Sequence, residues 1–194
     1  MVEPLAAIEI YHLHRLHVWV HVITPLIWRR LLVRSDSTIA DLRHTLQIPM
    51  GWDDAHLHRF RIRGKDYRIS RIGGTGFRDD PRQVHLCDFH FRHHECFLYE
   101  YDFGDLWQHV IRVERRLALD ETHTYAVCIA GKRAAPAGDC GAPWAFMTFQ
   151  DEYSPGYFLD LSILKTQSWV PGSSRYCWRI RWRCISISQV YAPA

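Results

Sequence analysis

Leu16, Val18, Val20 and Val22 alternate with His17, Trp19 and His21, a period of two that predicts a half-buried strand within the β-forming stretch 8–23. Thr24-Pro25 interrupts it, because proline has no N–H to give a ladder. Residues 27–33 then resume as a second strand, expected to pair antiparallel with the first. Ser35-Asp36-Ser37-Thr38 signals a helix start, with Asp41 placed to close a capping box with Thr38. Ile39, Leu42 and Leu46 follow at helical spacing, so the pattern predicts an amphipathic helix over 38–48, ended by Pro49 and turned away at Gly51.

Further along, Leu57, Phe60 and Ile62 lead into Gly64-Lys65, with Tyr67 and Ile69 beyond, which predicts a hairpin. Residues 70–83 are rich in Gly, Arg and Asp and read as a loop, and Val84 with Leu86 reads as a short strand. Residues 97–103 and 106–117 predict a second hairpin around Gly104-Asp105. Residues 125–130 read as an edge strand and 131–143 as a loop. This order defines an α+β domain: a mixed, largely antiparallel sheet with one main helix packed on it, β-grasp-like in arrangement.

Composition narrows the class. At 194 residues and 47% hydrophobic, the chain can bury a sizeable core, which excludes wholesale disorder. No run approaches the ~20 apolar residues of a membrane span, and the N-terminus lacks a basic stretch followed by an apolar one. We therefore expect a cytoplasmic protein with no membrane partner. Six cysteines without a Cys-x-x-Cys pair read as reduced thiols rather than a disulfide framework. Charge divides the chain unevenly. Residues 1–160 hold 19 basic against 21 acidic side chains, whereas 161–194 hold five basic residues and no acid. A basic, aromatic-rich tail thus follows a nearly neutral domain over 1–160.

Three groups of residues carry candidate chemistry. Asp53, Asp54, His56 and His58 lie together; on a strand, His56 and His58 would point to one face, as metal ligands do. Asp102, Asp105 and His109 form the second group. An Asp–His pair can orient a general base, and paired carboxylates can hold a divalent cation. Equally, Asp and Gly are the ordinary residues of tight turns, where carboxylates satisfy local amides. Asp102-Phe103-Gly104 also occurs in the kinase signature set, but no glycine-rich loop, strand lysine or His-Arg-Asp loop accompanies it, which excludes that class. Asp139 and Cys140, with Cys128, form the third group. A thiolate nucleophile needs a base that the local sequence does not show, so buried inert thiols are the plainer reading. His85, Cys87, His90, His93, His94 and Cys96 are rich in ligand atoms at spacings that match no zinc motif. The pattern allows a divalent metal and specifies no other cofactor.

Four ordered motifs carry a resemblance: Pro25-Leu26-Ile27-Trp28-Arg29-Arg30, the stretch Met50 to Phe60, the stretch Tyr99 to His109, and Asp139-Cys140-Gly141. Over roughly 13–157 the chain resembles the plasmid pRiA4b ORF-3-like family. The resemblance implies a small α+β domain found on bacterial plasmids, transposable elements and chromosomes, and it brings no activity with it. The family's Pro-Pro-Glu-Asp-Cys-Gly-Gly-like run is altered here: Ala135 replaces a proline, Gly138 removes a carboxylate and Ala142 follows Gly141. Where an acidic, Leu-rich helix would continue, residues 161–194 turn basic and aromatic. We read that tail as divergent, through out-of-frame translation or otherwise, and poorly packed. The rival reading makes it a nucleic-acid arm carried by Arg175, Arg179, Arg181 and Arg183.

Two functions follow. The first is a non-catalytic binding or accessory module associated with mobile DNA, acting with nucleic acid or another mobile-element protein. The second is a metal-dependent hydrolase or nuclease-like enzyme, which requires Asp53, His56, His58, Asp102, Asp105 and His109 to converge. Whether the protein is an enzyme is left to that geometry.

Overall fold

Strand β1 (His12–Val20) opens the sheet in the computed structural model, which describes residues 11–68, 80–136 and 140–152. It pairs antiparallel with β2 (Trp28–Arg34), as the two-residue period and the break at Thr24-Pro25 predict. Helix α1 (Ile39–Met50) follows. Thr38 and Asp41 form the expected capping box, the Thr38 side chain accepting from the Asp41 amide and the Asp41 carboxylate from the Thr38 amide. Pro49 does not end the helix as expected. It sits inside the last turn, and the chain leaves through Gly51 in the left-handed conformation (φ 73°), whose N–H reaches the Gln47 and Ile48 carbonyls. Glycine suits that cap because it has no Cβ to clash.

β3 (His58–Ile62) and β4 (Lys65–Tyr67) make the predicted first hairpin around a turn at Arg63-Gly64. The short strand expected at Val84 and Leu86 is instead an isolated bridge between Thr38 and His85, followed by a 3-10 turn over Leu86–Phe89. Its amides are taken by the carbonyls of Ser35 and Ser37 rather than by a ladder. β5 (Cys96–Tyr101) and β6 (Trp107–Ala118) form the second hairpin, and β7 (Val127–Lys132) pairs with β2 at the edge. The loop expected over 131–143 is shorter, because β7 runs into it and α2 (Pro143–Glu152) opens at its end.

The sheet has seven strands in the order β4-β3-β5-β6-β1-β2-β7. A mixed sheet was the expectation; every pairing among the described strands is antiparallel. β2 and β3, joined through α1, run in the same direction, yet three strands separate them, so no parallel pair arises. Alternation along each strand sorts the two faces. Leu16, Val18, Leu31, Val33, Phe60, Phe97, Tyr99, Ile111 and Val113 are buried on one face and form a single core with Ile39, Leu42 and Leu46 of α1. Phe146 of α2 meets Trp107 on that same face. Both α-helices therefore lie on one side of the sheet.

Candidate functional site

The motif around the second hairpin closes one end of this core. Tyr101 and Trp107 face each other across β5 and β6, and Tyr99 faces His109. Trp52, just past the helix cap, stacks on Tyr101 (ring centroids 4.8 Å apart, 15° between planes) and meets the His109 ring edge-on at 5.0 Å. Its indole N–H donates to the Pro136 carbonyl at 2.8 Å. His109 is only 1% exposed. Its Nδ1 lies 3.4 Å from the Tyr99 carbonyl, and burial lowers its pKa from 6.5 to about 4, so the imidazole is neutral at pH 7. Gln47 of α1 donates to the Tyr99 hydroxyl at 2.6 Å, tying helix to sheet.

The turn itself is built by Asp102. Its backbone is left-handed (φ 55°), and its Oδ1 accepts from the Gly104 amide at 3.0 Å and the Asp105 amide at 3.4 Å. A Cβ at Gly104 would stand 3.2 Å from Asp102 Oδ1, a tight contact that glycine avoids. The other carboxylate oxygen, Oδ2, lies 3.6 Å from His56 Nδ1. His56 precedes β3, so only His58 of the His-x-His pair is on a strand. The two rings lie beside different tyrosines, His56 edge-on to Tyr101 and His58 tilted against Tyr99. Asp54 pairs with Arg43 at 2.8 Å, and Asp53 caps the Ala55 amide at 3.2 Å.

The structure thus brings His56 to Asp102 and places His109 behind Trp52 in the core. Asp53 and Asp54 are engaged with the turn and with α1. Among the described residues no three His, Cys, Asp or Glu side chains are grouped to hold a metal ion. Burial pushes the Cys128 thiol up, and the Cys140 thiol lies 3.9 Å from the Gly141 carbonyl. Asp139, Arg175, Arg179, Arg181 and Arg183 lie outside the described residues, as do the loop residues 69–79.

The opposite face of the sheet carries a surface that the sequence reading did not single out. Trp19 of β1 faces Trp28 of β2, and His17 faces Arg30. The His17 ring lies 5.2 Å from each tryptophan. Arg112 of β6 sits 4.9 Å over Trp19, and Arg30 sits 5.3 Å over Trp28. An extra residue in β6, Glu114, shifts the register and reaches both Arg15 and Arg30 at 2.8 Å. Further across the sheet, Arg59 pairs with Glu100, and Gln108 donates to Glu100 at 2.8 Å. The outcome is a half-buried row of cation, indole and imidazole rings on a face that neither α-helix covers. The sequence signals were the polar half of the β1 alternation, His17 and Trp19, and the motif that contains Trp28 and Arg30.

Fold and surface together define a small α+β protein built on one antiparallel sheet, helix-covered on one side and aromatic and basic on the other. The chain belongs to the plasmid pRiA4b ORF-3-like protein family, whose model matches residues 12–156. It is 31% identical over 136 residues to the uncharacterised protein y4hQ of Sinorhizobium fredii, an overlap of 70% of each chain. The crystal structure of the protein of unknown function MM3350 from Methanosarcina mazei is similar with a TM-score of 0.67 and 34% identity, covering 73% of this chain and 81% of that one. The solved structure shares the fold of this chain, and neither relative's name gives an activity.

Proposed function

We propose that the protein is a non-catalytic binding module that takes single-stranded nucleic acid on the outer face of its sheet. The observation that carries this reading is the row Arg112–Trp19–His17–Trp28–Arg30. Bases stack on aromatic rings whatever their sequence, and Arg112, which has no carboxylate at ion-pair distance among the described residues, meets the backbone phosphates. Association with mobile DNA and a cytoplasmic location belong to the same proposal. Among the described residues no helix is long and apolar enough to cross a membrane. We also propose a β-grasp-like arrangement, supported by the strand–strand–helix–strand opening and by α1 packed against the sheet.

Anisotropy of a labelled 12-mer single strand tests the reading. Binding should weaken steeply with salt, and W19A/W28A should lose about tenfold or more, since each stacked base is worth ~1–3 kcal/mol. Binding that is absent at low salt, or unchanged in the double variant, would overturn it. The metal-dependent alternative rests on one contact, His56 to Asp102. It would require divalent metal to bind stoichiometrically and to be lost with H56A.

A further inference from the structure

Most arginines of the described surface are matched by carboxylates: Arg34 by Asp36, Arg43 by Asp54, Arg61 by Asp66, Arg63 by Glu95 and Arg82 by Asp80. Arg92, Arg112, Arg115 and Arg116, on β6 or beside it, are among the described arginines with no carboxylate at ion-pair distance. Three of them line one cleft.

That cleft forms where the segment after the 3-10 turn docks on β6. The His94 amide donates to the Val113 carbonyl at 2.8 Å, and the Val113 amide donates to the Glu95 carbonyl at 2.9 Å. Arg116 donates to the Phe91 carbonyl, pinning the segment from its other end. His90 and Glu95 are shaped by local bonds: His90 Nδ1 lies 3.1 Å from the Asp88 carbonyl, and Glu95 accepts from the Arg92 amide at 2.8 Å. The extra residue Glu114 re-aims the strand here, itself committed to Arg15 and Arg30, and Arg115 and Arg116 follow it as neighbours.

The resulting depression of ≈ 490 Å³ is lined by His90, Phe91, Arg92, His93, Val113, Arg115 and Arg116, without one acidic residue. It adjoins a second depression of ≈ 700 Å³ that shares His90, Arg92 and His93 and adds His94, Arg63 and Glu95. The single carboxylate there is held by Arg63 at 2.8 and 3.0 Å. Guanidinium groups present donors in a planar fork that matches phosphoryl oxygens, and an imidazole keeps at least one N–H donor in either protonation state.

We infer that this cleft is a binding site for phosphoryl-bearing polyanions, held by Arg92, Arg115 and Arg116 with His90 and His93 as further donors. The site goes beyond the stacking surface and does not depend on it. The phosphoryl groups can come from a nucleic-acid backbone or from a free phosphorylated molecule.

Calorimetric titration of the full chain with tripolyphosphate tests the site at low salt. Saturable binding is expected, weakened about tenfold or more in R92A/R115A, because a lost hydrogen bond to a charged group is of that size. R82A, at an exposed arginine already paired with Asp80, should bind within about twofold of the unaltered chain. Both substituted positions are exposed, and matching circular dichroism and thermal midpoints would show that the variants are folded. Competition by the single-stranded 12-mer would assign the site to a nucleic-acid backbone; tripolyphosphate binding that the 12-mer leaves untouched would assign it to a free phosphorylated molecule. W19A/W28A should keep tripolyphosphate binding, so the two surfaces can fail separately. No saturable binding by the unaltered chain, or equal affinity in R92A/R115A and R82A, would overturn the inference.

Discussion

His109 and His14 are the two histidines that the fold removes from water, each 1% exposed. His14 lies edge-on to Phe91 at 6.0 Å and to His12 at 4.6 Å. Burial is the first cause of its lowered pKa, about 4, with repulsion from His12 and Arg116 adding to it. Burial alone lowers His109 to about the same value. A folded-state pKa below the unfolded 6.5 means that the unfolded chain binds more protons between those values. Stability is therefore full above pH 6.5 and falls as pH drops from 6.5 towards 4, by up to about 3 kcal/mol per histidine. Urea midpoints at pH 7.5, 6 and 5 should record that slope, and H14Q or H109Q should flatten it. The surface carboxylates with lowered pKa values, such as Asp36 and Asp66 beside their arginines, act at lower pH. An unfolding midpoint that stays level between pH 7.5 and 5 would contradict this account of the two sites.

At the scale of elements, Arg29 links three of them. It is 2% exposed on the core side of β2. Its Nε donates to the Pro49 carbonyl at 2.8 Å, capping the end of α1. Its NH1 reaches the carbonyls of Trp28 (2.8 Å), Lys132 (3.3 Å) and Arg133 (2.9 Å), which fixes the end of β7. A helix that runs through its proline leaves carbonyls at its end, and a buried guanidinium takes one of them. R29M should cost about 3 kcal/mol or more, because buried carbonyls lose their donors. R29K should not restore stability, since an ammonium lacks the planar fork. R30M, on the outer face, should cost less than about 1 kcal/mol. Denaturant unfolding that ranks Arg30 above Arg29 would refute the capping role.

At the scale of the molecule, the seven-stranded sheet separates a packed face from an aromatic and basic one. The family match ends at residue 156, and the tail read as divergent lies outside the described residues. If the binding surfaces proposed for the sheet and its adjoining cleft are correct, truncation after Asp160 should leave most single-strand affinity in place. Loss of salt-dependent binding on truncation would move the function to the arginine-rich tail. Sequencing the coding DNA gives the independent check on the frame near that point.

Local chemistry was legible from residue order alone. The β1 alternation, the Thr38–Asp41 box, the Gly64 and Gly104 turns and the four family motifs depend on neighbours within a few positions, where spacing dictates geometry. Helix α2 was not legible, because Pro143-Trp144-Ala145-Phe146 follows a proline- and glycine-rich stretch and takes its order from Trp107. The role of Arg29 was hidden for the same reason: its carbonyl partners include Lys132 and Arg133, more than a hundred positions away. His109 beside Asp105 suggested a base at a turn, yet strand alternation sent it inward behind Trp52. By itself the sequence determined β1, β2, α1 and the two hairpins, the family and which side chains could do chemistry. Only the tertiary structure decided which of them meet, because the antiparallel order β6-β1-β2 aligns Arg112, Trp19 and Trp28 from three separate strands, and the Glu114 bulge exposes the arginines beyond it.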